Sequence, residues 1–227
     1  MQLYLIRHAE SENNAKPGYL RTEDPSLTAI GRLQAQHLAA WAATQKFDAL
    51  ITSPVRRALQ TTRFITDSVN CHVHVWADVF EQGGIYPGFG PDAIRGGDGL
   101  SRSQVIQHVT ADPTACTLDE SIHENGWWAG RDRETPEQMV TRATQVIERL
   151  VDTFADSNSV VLAVIHADFK YELLHQLMGW GAESESLGHL RNTSISHLIR
   201  QQNGWRLDCF NSVSHLPGRL ARDASEH

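Results

Sequence analysis

The sequence predicts an α/β protein: a three-layer α/β/α sandwich with a mostly parallel central sheet, a C-terminal hairpin and a Gly-rich cap insertion. Three observations carry this expectation. Apolar or β-branched runs at residues 1–6, 47–52 and 159–165 alternate with amphipathic stretches of helical period, the pattern of parallel strands joined by crossover helices. The run SVVLAVI at 159–165 is apolar throughout rather than alternating, which suits a strand covered on both faces. Asn203-Gly204 separates two further β-rich runs, 194–201 and 205–210, and is the strongest short hairpin signal available.

Residues 1–6 read as a buried strand ending at the charged pair Arg7-His8; Asn13-Asn14, Pro17-Gly18 and Asp24-Pro25 then mark a loop. A helix starts after Leu27-Thr28, with Ile30, Leu33, Leu38 and Trp41 in one broad stripe. The strand FDALIT at 47–52 runs into Ser53-Pro54, an N-cap followed by Pro at the first helical position. Ala58, Thr62, Ile65 and Val69 give that helix its buried face, and the alternating HVHVW at 72–76 is a third strand. Residues 82–133 are irregular and rich in glycine (Gly83, Gly84, Gly88, Gly90, Gly96, Gly97, Gly99), with one weak helical patch near Val105. They read as a long excursion from the sheet that covers something, not as a second domain. Thr135-Pro136-Glu137-Gln138 is a capping box opening a long helix, whose face Met139, Ala143, Val146, Ile147, Leu150, Phe154 is core rather than a partner site. After the strand at 159–165 come His166, a helix over 169–178 stopped by Gly179, the hairpin, and a tail beyond Leu216 that reads as frayed. One elaborated domain over 1–227 is expected, with its cap at about 82–133.

A chain of 227 residues buries a sizeable core without disulfides or metals. Lys plus Arg is 20 against 27 Asp plus Glu, so the net charge is −7, and no basic run is present. That weighs against a nucleic-acid partner, yet leaves room for a small anionic substrate held by a local Arg cluster. Three scattered cysteines, Cys71, Cys116 and Cys209, suit a reducing compartment. The opening MQLYLIRHAE is charged too soon for a signal peptide, and no run approaches the ~20 apolar residues of a membrane span. A cytoplasmic protein without membrane attachment is expected, a monomer or homodimer.

Ligands of open α/β sheets sit beyond the carboxyl ends of the strands. Four such ends here carry Arg7-His8, Arg57, Glu81 and His166. Two guanidiniums offer planar donor forks for a phosphate, and a neutral imidazole is a competent nucleophile toward phosphorus. Flanking positive charge keeps the imidazole neutral, and a carboxylic acid nearby can protonate a departing alkoxide.

These residues sit in recognisable strings. Arg7-His8-Ala9-Glu10 with Asn14 resembles the R-H-G-E-x-x-x-N signature of the histidine phosphatase superfamily, the phosphoglycerate mutase-like family. Asp24-Pro25-Ser26-Leu27-Thr28 through Gly31 and Gln34-Ala35 is similar to its D-x-x-L-T-x-x-G-x-x-Q-A segment. Ser53-Pro54-Val55-Arg56-Arg57-Ala58-Leu59-Gln60-Thr61-Thr62 resembles S-P-L-x-R-A-x-Q-T-A, and Val164-Ile165-His166-Ala167 resembles V-S-H-G. Asn192-Thr193-Ser194-Ile195 and Asn211 through His215-Leu216 resemble the closing hairpin and its N-x-x-x-H-L tail. Five ordered segments over about residues 1–217 make coincidence an insufficient account.

The resemblance implies roles. His8 takes the phosphoryl group. Arg7, Arg57, His166 and Ala167 bind its oxygens, with Asn14 helping from the first loop, and His166 also counts among the catalytic residues. Glu81 donates a proton to the leaving group and then activates water. No metal or cofactor is required. The implied activity is a metal-independent phosphomonoesterase that acts on a small phosphorylated metabolite and releases inorganic phosphate. The chain departs from the family at Ala9 and Ala167, where glycine is usual and a methyl hinders positive φ. Glu10 and Glu124 compete with Glu81 as the acid.

Rival readings stand beside these. A phosphoglycerate mutase or a sugar-bisphosphatase would use the same phosphohistidine. The family's mutases carry E-R-x-Y-G-x-L-x-G after the acid, whereas this chain has Glu81-Gln82-Gly83-Gly84-Ile85-Tyr86-Pro87-Gly88. A non-catalytic phospholigand-binding module is the rival from another class; its mark would be loss of His8 or Arg57, and both are present. Tyr86, Arg95, Trp127 and Trp128 are candidate pocket walls, or equally local packing for an irregular loop. His72 and His74 share a strand face, a metal pair in principle but more simply an exposed face, since no carboxylate or Cys joins them locally.

Overall fold

Alternate residues of the central strands point into two separate cores. In the computed structural model, which describes residues 1–88, 93–154, 158–180 and 188–221, β1 (Gln2–Arg7) sends Leu3 and Leu5 to one side and Ile6 to the other. β5 (Val160–Ile165) likewise divides Val161, Ala163 and Ile165 from Leu162 and Val164, and β2 (Ala49–Thr52) divides Ile51 from Leu50. This period-two division of apolar strands is what puts helices on both faces.

The remaining elements are α1 (Glu12–Ala15), α2 (Ala29–Ala42), α3 (Arg56–Thr66), β3 (Val73–Val75), α4 (Arg102–Val109), β4 (Cys116–Leu118), α5 (Pro136–Phe154), α6 (Ala167–Met178), β6 (Ile195–Gln201) and β7 (Gly204–Ser212). The seven strands form one sheet in the order β4-β3-β2-β5-β1-β6-β7. The first five are mutually parallel, and β6 and β7 close the far edge antiparallel. Helices α2, α3 and α4 pack on one face, α5 and α6 on the other. This is the expected mostly parallel sandwich with its C-terminal hairpin.

Local chemistry explains the element ends. Thr28 caps α2 by accepting the Gly31 N–H at 2.9 Å. Gly31 is needed for a different reason: a β-carbon there would run into the Glu10 carbonyl, so glycine lets α2 lie against the loop after β1. The capping box of α5 forms as expected, with Thr135 N–H on Gln138 Oε1 at 2.8 Å and Gln138 N–H on Thr135 Oγ1 at 3.3 Å.

Three expectations need correction. Residues 82–133 are not wholly an excursion: α4 packs on α3, and β4 pairs with β3 as a fifth parallel strand. The three-residue β4, with burial on one side only, is too short to show a period in the sequence. Gly90, at 89–92, lies outside the described residues. Second, α3 starts at Arg56 with Val55 at the N-cap: the Ser53 hydroxyl accepts the Val55 N–H at 3.3 Å, ahead of the first helical residue, and also meets His166 Nε2 at 2.9 Å. Third, the tail past Leu216 is not loose: Leu216 and Leu220 are buried, and the Leu220 carbonyl accepts from Gln34 Nε2 at 3.0 Å. Residues 222–227 lie outside the described residues.

Candidate active site

Strands β1 and β5 are parallel neighbours in the centre of the sheet, with Arg7 opposite Ile165. The next residue on each, His8 and His166, therefore leaves the sheet side by side, and the two rings sit 5.1 Å apart at 59°. His8 Nδ1 lies 2.8 Å from the Ala9 carbonyl. A carbonyl only accepts, so Nδ1 carries the proton and Nε2 keeps a lone pair. Arg57, in the first turn of α3, donates its Nε–H to that lone pair at 3.0 Å. Burial, then the charges of Arg57 and Arg7, hold His8 well below the ordinary imidazole range, so it is neutral at pH 7.

His166 is fully buried, and its Nε2 is 2.9 Å from Ser53 Oγ. That hydroxyl already accepts the Val55 N–H at 3.3 Å, so its own proton is free to point at His166 Nε2. With Ser53 donating, the proton of His166 is on Nδ1, which is buried without a hydrogen-bond partner among the described residues. An orphaned buried donor beside His8 is what an arriving oxyanion would satisfy.

The backbone of His8 is held from the hairpin side. Asn192 Nδ2 donates to the His8 carbonyl at 3.0 Å, and Thr193 N–H donates to the Arg7 carbonyl at 3.0 Å. Thr193 does this at φ 55, a conformation that costs a β-branched residue about 1–3 kcal/mol. Arg7 crosses to the same segment, with its guanidinium on the Leu190 carbonyl and 2.9 Å from His189 Nε2.

Glu81 approaches from the loop after β3. Its Oε2 accepts the Ala167 N–H at 3.1 Å, and its Oε1 accepts from Phe169 N–H at 3.2 Å and Gln82 N–H at 3.1 Å. Burial, reinforced by the Asp168 charge, outweighs Arg57 and these donors and raises its pKa. The loop itself is fixed by Arg142 of α5, whose guanidinium donates to the Asp78 and Phe80 carbonyls at 2.8 and 3.1 Å. Arg142 is stacked on Phe80 and Phe169 at 3.6 and 4.1 Å and bonded twice to Glu134 at 2.6 and 2.7 Å. Arg7, His8, Asn14, Arg57, Glu81 and Ala167 all line one cleft of about 730 Å³. An outer chamber of about 460 Å³, bounded by Arg21, Tyr86 and Arg133, continues from it. A neutral nucleophile, two guanidiniums and an acid around one cleft are equipped for phosphoryl transfer.

Residues 3–213 match the sequence profile of the histidine phosphatase superfamily, branch 1. The chain belongs to this superfamily. The "Probable phosphoglycerate mutase GpmB" of Enterobacter sp. (strain 638) is 27% identical over 230 residues, which cover 95% of each chain. The alpha-ribazole phosphatase of Shigella flexneri superposes with a TM-score of 0.63 at 22% identity, covering 93% of this chain and 96% of that one. The mycobacterial glucosyl-3-phosphoglycerate phosphatase does so with 0.64 at 20% identity, covering 93% and 99%. At that identity the two structures show the fold.

Within this histidine phosphatase the anticipated residues divide into two groups. His8, Arg7, Arg57, Glu81 and Tyr86 meet at the cleft, with His166 packed behind His8. Asn14 lines it too, but its Oδ1 is committed to Ser11 N and Oγ at 3.0 and 2.9 Å, leaving its amide N–H groups for a ligand. The Ala167 N–H donates to Glu81 Oε2. Neither Ala9 nor Ala167 is among the residues with positive φ, so the alanines cost nothing there. Of the competing carboxylates, Glu10 is buried on the Thr28 hydroxyl and Glu124 is exposed on Ser103, so neither lines the cleft.

Trp127, Trp128 and Arg95 are not brought to it. The two indoles are 2% exposed, lie 5.4 Å apart and pack on Phe80. They pin the insertion to the core, because an irregular segment needs apolar anchors of its own. Arg95 is exposed and does not line the cleft. His72 Nε2 lies 2.8 Å from Thr117 Oγ1, and no group of three or more His, Cys, Asp or Glu able to hold a metal occurs among the described residues.

Sequence reasoning gave no part in the site to Ser53, read only as a helix cap, or to Asn192, Thr193, Arg142, Arg21 or Arg133. The first three lie inside the quoted family strings, so a signal existed. Arg142 sits on the buried side of the long helix, where a charged residue amid Met139, Ala143 and Val146 was the available hint. Arg21 and Arg133 come from irregular segments whose direction no period predicts. No helix among the described residues is long and apolar enough to cross a membrane.

Proposed function

We propose that this chain hydrolyses a small phosphate monoester through a phosphohistidine on His8, without a metal. The observation that supports it best is the neutral, tautomer-fixed His8 at the base of the cleft, with Arg57 on the nitrogen that attacks. As substrate enters, Arg57 turns its donors to the phosphoryl oxygens, joined by Arg7, Asn14 and the Nδ1–H of His166. Nε2 of His8 attacks phosphorus in line, the bond to the leaving oxygen breaks, and Glu81 gives that oxygen its proton. A phosphoryl oxygen that takes over the Ala167 N–H removes a donor that favours the Glu81 carboxylate, so the proton stays on Glu81 until the leaving oxygen takes it. In the second half, the Glu81 carboxylate takes a proton from water as the water attacks phosphorus. The P–N bond breaks, and inorganic phosphate leaves a neutral His8.

The reading treats 1–227 as one catalytic unit in the cytoplasm, monomer or homodimer, whose 82–133 segment walls the substrate chamber. A test is phosphate release from p-nitrophenyl phosphate in EDTA. Turnover by the wild type that vanishes in His8→Ala supports the reading, and no wild-type turnover overturns it. The relatives named phosphoglycerate mutase favour a second reading, in which the phosphoryl group returns to a phosphoglycerate. Interconversion of phosphoglycerates that depends on a bisphosphoglycerate primer would favour it.

A further inference from the structure

The cleft holds a second carboxylate that this reaction leaves unused. Asp168 stands between the two α6 residues whose backbone N–H groups grip Glu81, Ala167 on Oε2 at 3.1 Å and Phe169 on Oε1 at 3.2 Å. Its side chain is exposed in the first turn of α6 and lines the same cleft as Glu81. Two carboxyl groups therefore share one helical turn.

Most of what surrounds Glu81 favours its anion. The α6 N–H groups and the Gln82 N–H stabilise a carboxylate, as do the helix dipole and Arg57 from α3. Arg7 beside His8, Lys16 and Arg21 from the first loop, Arg133 from the insertion and Arg142 of α5, on the Phe80 carbonyl and the Phe169 ring, add positive charge around Glu81 and the cleft. A group so surrounded would be a poor proton donor. Two features act in the opposite direction, its burial and the negative charge of Asp168. Among the described residues Asp168 is the other acid lining that cleft, and Glu23 lines the adjoining chamber.

We propose that Asp168 is a positioning residue for proton transfer: its charge, set on the turn that grips Glu81, keeps the Glu81 carboxyl carrying the proton that the leaving oxygen takes. The inference rests on the assignment of Glu81 as the acid under Proposed function. It has a chemical corollary. Asp168 matters for leaving groups that need a proton and is dispensable for those that depart as stable anions.

The test compares wild type, Asp168→Asn, Asp168→Glu and Glu81→Gln on two probes, p-nitrophenyl phosphate and phenyl phosphate. Phenol titrates near ~10, so its departure at neutral pH draws on the acid. The pH profile of kcat/KM reports the acid of the free enzyme. In Asp168→Asn the alkaline limb for phenyl phosphate is expected to move down by about one pH unit, with a rate at pH 8 lower by about tenfold. Turnover of p-nitrophenyl phosphate should stay within about twofold, and Asp168→Glu should restore the limb. An unmoved limb, or equal losses on both probes, overturns the inference. Wild-type phenyl phosphate turnover by Glu81→Gln overturns the assignment of the acid itself, a result distinguishable from either.

Discussion

Arg57 holds Nε2 of His8 with a 3.0 Å hydrogen bond. The nitrogen that would receive a phosphoryl group is thus engaged by a side chain whose donor fork suits that group's oxygens. The same charge, beside Arg7 and with burial, keeps the imidazole neutral. Replacing Arg57 with Lys removes the planar fork while keeping the charge, so it separates these two contributions. We expect Arg57→Lys to lose about 10²–10³-fold in kcat on p-nitrophenyl phosphate, close to the loss in Arg57→Ala. Recovery to within a few-fold of wild type would mean that charge alone suffices.

Ser53 bears on the partner imidazole. Its hydroxyl sits between Val55 N–H and His166 Nε2, and by donating to Nε2 it would direct the His166 proton to the buried Nδ1. Ser53→Ala should lower kcat by about 10–100-fold, by analogy with other partners that fix a histidine tautomer. Its Tm should fall little. Steady-state kinetics beside a melting curve checks this, and a variant with a large Tm loss and an intact kcat contradicts it.

Asp24 makes stability depend on pH. Its Oδ1 accepts the Arg56 N–H at 3.0 Å at the start of α3. Burial, against the pull of Arg57 and Arg56, pushes its carboxyl up to about 6. The folded value lies above the unfolded one of about 3.9. Its contribution to stability is therefore fully present below about pH 4 and lost as pH rises through about 6. Asp24→Asn keeps the acceptor for Arg56 and removes the buried charge. Its stability should exceed that of wild type by about 1–2 kcal/mol at pH 8 and show no advantage at pH 4, read from melting curves across that range.

Trp127 and Trp128 are packing residues, so their removal should appear in stability rather than in substrate affinity. Trp127→Ala is expected to cost about 3–5 kcal/mol in denaturant unfolding while KM for p-nitrophenyl phosphate changes little in the folded fraction. A raised KM with unaltered stability would return the indole to the cleft wall.

How much of this was legible beforehand depends on where each residue sits. The strands carrying His8 and His166 are long, apolar and followed by charged residues, so both their burial and the position of their ends show in one dimension. Ser53 was visible only as a cap, because nothing in one dimension shows that its hydroxyl also meets a histidine 113 residues away. The strand Cys116–Leu118 was invisible, since three residues at a sheet edge show no period. The indoles left two readings open for a related reason: an aromatic pair in a Gly-rich segment looks alike in sequence whether it faces a ligand or a core. Asp168 gave no signal of its own, and only the fold sets it on the turn that grips Glu81.

The proposed reaction passes through a covalent phosphohistidine on Nε2 of His8. The measurement that tests it most directly is acid-free rapid quench of the enzyme with excess radiolabelled phosphate monoester, followed by peptide mapping of the bound label. We predict label that is acid-labile and base-stable, confined to the peptide carrying His8, lost on chase with unlabelled substrate, and absent in His8→Ala. Steady turnover with no bound label on that peptide, or label on another residue, would contradict the account.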